Sequence, residues 1–136
     1  EGWEKYSCGD EHSLRREPAV PFALSFERIA KAHVLLNVSP IFNRGMHDRV
    51  PAGMANHAVV LTDENPYLRR TFTDGKELLF YSLEKPDTLC EQAERTLTDV
   101  RLREKIAASA YETFEREYTW KRRAEQILAF AEEVEA

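Results

Sequence analysis

The residues that could do chemistry gather in one stretch, Ser39 to Asn65, reading SPIFNRGMHDRVPAGMANHAVVLTDEN. Arg44, His47 and Arg49 surround a helix start, and a buried strand runs out into Asp63, Glu64 and Asn65. Loop and strand end open onto the same edge of a sheet, the edge at which α/β domains bind their ligands. The chemistry these groups suit is the holding of a polar ligand. No Ser-His-Asp set, Cys-His arrangement or glycine-rich phosphate loop is present, so a hydrolase or kinase reading has little support.

The chain on either side reads as the scaffold for that edge. Ala23 to Ala32 is periodic as a helix, with Ser25 as N-cap and Phe22, Phe26, Ile29 and Ala30 on one face. His33 to Val38 (HVLLNV) is a continuous apolar run, the pattern of a strand covered on both sheet faces. Asp48 to Asn56 is a helix with Val50, Met54 and Ala55 inward; Pro51 falls in its first turn, where a missing N–H loses no partner. Ala58 to Thr62 is a second buried strand, and Glu64 to Phe72 a short helix or turn anchored by Tyr67, Leu68 and Phe72. After an Asp74-Gly75 turn, Leu78 to Tyr81 is a third strand. His33 and His57 read as flanks of strands. Strands alternating with helices predict a parallel sheet with right-handed crossovers.

Beyond Ser82 the pattern is purely helical. Leu89, Ala93, Leu97 and Val100 mark one helix with Pro86 at its first position; Asp99 caps a second, with Leu102, Ile106, Ala110 and Phe114 inward. Thr119 caps a third, striped by Trp120, Ala124, Ile127, Leu128, Ala131 and Val134. This tail is expected to pack as a helical layer, with Trp120 in the core and the many Glu, Lys and Arg residues on a solvated face. The fold class is therefore α/β: a Rossmann-like three-layer domain, a small parallel sheet flanked by helices, with a helical C-terminal tail.

At 136 residues the chain fits a single domain, with residues 1–20 irregular. Pro18 and Pro21 bracket Ala19-Val20, leaving room for a short edge strand at most. An α/β domain normally opens on a buried strand and none precedes Gly2-Trp3, so a first strand is expected upstream in a longer protein. The net charge of -5 argues against nucleic-acid binding. No apolar run approaches the roughly 20 residues that span a bilayer, and nothing near Glu1 resembles a signal peptide, so a cytoplasmic setting is expected. Cys8 and Cys90 have no metal-ligand spacing and read as free thiols.

Taken together, Asn37 through Pro40, His47-Asp48-Arg49-Val50, Ala52 to Asn56, Val59 to Asp63, Asn65-Pro66-Tyr67-Leu68, Phe72, Asp74 to Glu77, and Thr119-Trp120 with Arg123 carry a resemblance. In this order and spacing they resemble the carboxy-terminal half of glycosyltransferases of the GT-B fold, and more narrowly the glycosyltransferase-like domain of spore-maturation CgeB-type proteins. The likeness covers most of the chain from about Ala32 to Phe130.

The resemblance implies half of a two-domain enzyme. The donor half binds a nucleotide sugar, such as a UDP- or GDP-sugar, and a separate N-terminal domain holds the acceptor; no metal or other cofactor is required. Arg44, His47 and Arg49 would meet the diphosphate, helped by free N–H groups at the helix start. Asp63 and Asn65 would face the rest of the donor. The sequence also departs from the pattern. Many retaining members carry two glutamates eight residues apart, and those positions are Arg44 and Ala52; the glycine after the helix is His57, and an aromatic expected near the helix start is Pro51. The catalytic residues are left unassigned. The alternative is a non-catalytic α/β module that keeps the fold for binding or assembly.

Overall fold

The computed structural model describes residues 18–42 and 44–135. The irregular segment expected at residues 1–20 lies mostly outside the described residues, as does Cys8; Ala19 and Val20 form no strand. The elements are α1 (Phe22–Ile29), β1 (Val34–Asn37), α2 (Arg49–Ala55), β2 (Val59–Asp63), α3 (Pro66–Thr71), β3 (Leu79–Tyr81), α4 (Asp87–Thr98), α5 (Val100–Glu117) and α6 (Trp120–Glu135). The sheet has the order β1-β2-β3, parallel throughout. It is the α/β arrangement, flanked by helices and followed by a helical tail, that the alternating pattern predicts.

β2 is the centre of the core, and all five of its residues are buried. Because side chains alternate along a strand, Val60 packs with Val50 and Met54 of α2 and Leu68 of α3, while Val59 and Leu61 pack on the other face with Leu79, Ile106 and Ala107. Leu89 and Ala93 of α4 back that second cluster, and α5 supplies residues to both. Each Val, Leu, Ile or Met side chain among them contributes roughly 1.5–3 kcal/mol when taken fully out of water.

The approach of α2 to the sheet depends on Gly53. A Cβ there would lie 2.5 Å from Val60 Cγ2 and 2.9 Å from Leu35 Cδ2, inside any real contact distance. Gly53→Ala is therefore expected to lift α2 off β1 and β2 and to destabilise the fold by about 1–3 kcal/mol, the usual scale for overpacking. A urea titration would show this as a lower midpoint at an unchanged slope.

The caps behave as the sequence predicts for the later helices. Asp99 Oδ1 accepts from Leu102 N at 2.9 Å, and Thr119 Oγ1 accepts from Arg122 N at 3.3 Å. Pro86 sits one place before the expected position, at the N-cap of α4. At α1 the cap is Pro21, not Ser25, whose hydroxyl donates back to Phe22 O at 2.5 Å within the first turn.

Three faces expected to be covered are open. β1 is an edge strand; Leu36 and Val38 are 46% and 44% exposed, where the run His33 to Val38 predicted cover on both faces. α1 has no buried residue. α6 is the largest departure: Trp120, expected in the core, is 91% exposed, and Ile127, Leu128 and Val134 of its stripe are also exposed. Periodicity shows that a helix has an apolar face but not how fully it is covered; the contacts of α1 with α2 and of α6 with α5 leave these side chains largely exposed.

Candidate functional site

The C-terminal ends of the strands carry four polar side chains that the core has enclosed. Asn37 ends β1, Thr62 and Asp63 end β2, and Tyr81 ends β3; each is less than 5% exposed. The register sets Asn37 level with Thr62 and Asp63 level with Tyr81. Asn37 Nδ2 accordingly donates to Thr62 Oγ1 at 2.9 Å and faces Ser39 Oγ at 3.3 Å. The Thr62 hydroxyl donates to Asp63 O at 3.2 Å, and the Tyr81 hydroxyl reaches past β2 to donate to Asn37 O at 3.0 Å.

Burial, and then the nearby Asp63 charge, push the Tyr81 hydroxyl up from its ordinary value near 10 to about 12. A raised folded pKa means that the contribution is fully present below the unfolded value and disappears as pH rises through the folded one. Stability is therefore expected to fall between pH 10 and about 12. Thermal melts across that range test this, and Tyr81→Phe should remove that part of the pH dependence.

The loop from β1 to α2 is tied to the end of β2 by two of the predicted site residues. Asp63 Oδ1 accepts from Ser39 N at 2.8 Å. Asn65 caps α3 by accepting from Leu68 N at 2.7 Å, and its Nδ2 donates to Phe42 O at 3.1 Å and Gly45 O at 3.5 Å. Pro66, in the first turn of α3, fits this cap because it needs no acceptor. Asp63 and Asn65 are 2% and 7% exposed. The resemblance implies that both face the donor; the contacts they make in the structure hold the loop in place.

The three basic residues stand differently. Arg44 is exposed and has no hydrogen bond or ion pair with the described residues. Arg49 is exposed, and its guanidinium Nη1 lies 3.5 Å from the neutral Asn37 Oδ1. It forms no salt bridge with Asp48, whose Oδ1 sits 2.5 Å from His47 Nδ1. That imidazole nitrogen also faces Arg49 N at 3.2 Å. Protonated on Nε2 alone, the ring accepts from the amide; protonated on Nδ1, it donates to Asp48.

The helix start itself offers less than the sequence suggests. α2 has seven residues. In its first turn Arg49 N is engaged by His47 Nδ1, Val50 N donates to His47 O at 3.0 Å, Pro51 has no N–H, and Ala52 N donates to Asp48 O at 3.0 Å. Free amides are not what this end presents. Its capacity for an anion rests on the guanidinium side chains.

His33 and His57 lie at the opposite ends of the strands, as strand flanks, around a cavity of about 270 Å³ that Arg103 also lines. His57 occupies the left-handed backbone region (φ 55) that glycine favours, and its ring stacks on Tyr111 at 4.2 Å.

Sequence reasoning missed Asn37, Ser39, Thr62 and Tyr81 as parts of the site. The signal was present: Asn37, Thr62 and Tyr81 are the first groups able to hydrogen-bond through their side chains after apolar strand runs, and Ser39 opens the loop. A buried polar group of this kind needs a partner, and at a strand end the partner is another strand end or the loop beyond it.

A family model described as glycosyl transferase-like matches residues 1–129. No curated protein and no solved structure matches the chain.

Proposed function

Because the chain belongs to the glycosyl transferase-like family, we propose that it is the donor domain of a glycosyltransferase, binding the diphosphate of a nucleotide sugar at the loop between β1 and α2. The observation that carries this reading is the state of the two arginines. Arg44 and Arg49 stand exposed at the ligand-binding edge of the sheet, and neither makes an ion pair with the described residues. Guanidinium groups match the oxygens of a diphosphate in bidentate fashion. In transfer they stabilise the negative charge that grows on the departing nucleoside diphosphate as the bond to the sugar breaks. His47, at the same loop end, adds an imidazole N–H donor, while Asp63 and Asn65 fix the loop that carries all three.

The acceptor belongs to a separate N-terminal domain in this reading. The uncovered apolar stripe of α6 supports a partner domain, since an amphipathic helix keeps such a face for another surface. A CgeB-type assignment rests on the ordered resemblance from Asn37 to Arg123. A second reading, a non-catalytic binding or assembly module, is favoured by one observation: Arg44 and Ala52 stand where many retaining relatives carry paired glutamates.

Calorimetric titration of the chain with UDP, GDP and TDP, and with the matching sugar nucleotides, separates the two. The donor reading expects saturable binding of at least one of them. No heat with any nucleotide would leave the assembly module as the better reading.

A further inference from the structure

We propose that Asn37 is a positioning residue of the donor site, whose buried side chain holds the Arg49 guanidinium in place for the diphosphate. This rests on the donor-domain reading of the same edge. Asn37 is fully buried, and its amide has only one orientation that pairs all its groups. Thr62 donates its hydroxyl hydrogen to Asp63 O, which leaves the Thr62 oxygen as acceptor for Asn37 Nδ2. Ser39 Oγ, 3.3 Å from the same Nδ2, takes a second contact. The backbone of Asn37 is fixed separately, by the Tyr81 hydroxyl on its carbonyl. With Nδ2 committed, Oδ1 is left facing Arg49 Nη1 at 3.5 Å.

The choice of an amide at this position has a consequence for binding. An exposed arginine samples many rotamers, and ordering it opposes ligand binding. A carboxylate would restrain the guanidinium but also neutralise the charge that the ligand needs. The amide oxygen of Asn37 restrains it and leaves the charge intact. Strand end, side-chain amide and arginine thus form one chain of contacts running from Tyr81 through Asn37 to Arg49.

A double-mutant cycle read by nucleotide titration tests this. The probes are UDP, GDP and TDP, and the variants are Asn37→Leu, Arg49→Ala and the pair, each checked for folding by circular dichroism. If Asn37 acts through Arg49, Asn37→Leu lowers affinity about tenfold in the chain that keeps Arg49 and less than about twofold in the chain that lacks it. An equal loss in both backgrounds, or no loss in either, overturns the assignment. Should Asn37→Leu not fold, Tyr81→Phe, which frees the Asn37 backbone and leaves its side chain, is carried through the same cycle. A loss of about threefold confined to the Arg49 background supports the assignment, and an equal or absent loss overturns it. Failure of the wild-type chain to bind any probe, or binding that Arg49→Ala leaves unchanged, overturns the donor-domain reading and this proposal with it; the other outcomes bear on Asn37 alone.

Discussion

Arg49→Ala is expected to lower the affinity of the chain for a nucleoside diphosphate by roughly 10- to 100-fold, the range for hydrogen bonds to a charged group. Its stability should change little. Arg49 is exposed and its one described side-chain hydrogen bond is the 3.5 Å approach to Asn37 Oδ1, so truncation strands no buried charge. Calorimetry on variant and wild type gives the first quantity and a thermal melt the second. Arg49→Lys should fall between the two, because lysine keeps the charge but loses the planar fork that meets two phosphate oxygens together. The site is open to solvent, so the wild-type affinity should also weaken as salt is raised. A variant that loses affinity and stability in parallel would place Arg49 in the fold rather than in the site.

Asn65→Ala should show the opposite signature. The side chain caps α3 through Leu68 N and holds the carbonyls of Phe42 and Gly45, so its removal costs a helix cap and leaves two carbonyls without their donor. About 1 kcal/mol belongs to the cap and about 1–3 kcal/mol to the unpaired groups, so a loss of roughly 2–4 kcal/mol is expected in a urea titration. For a domain of this size that is a large share of total stability. Asn65→Asp divides the effect, since the carboxylate still accepts from Leu68 N but cannot donate to the two carbonyls. It should keep most of the cap and still loosen the loop. Equal losses in the two variants would mean that the cap contributes nothing, and an unchanged Asn65→Asp would mean that the loop contacts contribute nothing.

The contrast between these residues shows what the sequence can convey. The β-run AVVLT and the alternation around it were legible because burial on both faces forces a continuous apolar pattern, and the parallel pairing followed from strands alternating with helices. Asp99 and Thr119 were legible as caps because capping is local. β1 and α6 were misread for one shared reason: an apolar run or stripe reports a demand for cover, and Leu36 and Trp120 have that demand without a described partner. At the proposed edge, Arg44, His47 and Arg49 were singled out from side-chain type and position in the sequence. The loop contacts of Asp63 and Asn65 were not legible, because a carboxylate or amide at a strand end looks the same whether it faces a ligand or a backbone N–H. Only the position of the loop decides, and Asp63 and Asn65 hold it through Ser39, Phe42 and Gly45, on a distant part of the chain. Gly53 was equally hidden, since its need for no side chain comes from Val60 and Leu35 across the interface.

The donor-site assignment meets its most direct test in an NMR titration of the isotopically labelled chain with the nucleoside diphosphate that calorimetry selects. Binding at the proposed edge predicts shifts concentrated on Ser39 to Gly45, His47 and Arg49 and on the side chain of Arg44, with His33 and His57 at the opposite strand ends nearly unmoved. Shifts centred on His33, His57 and Arg103, with Arg49 silent, would contradict it.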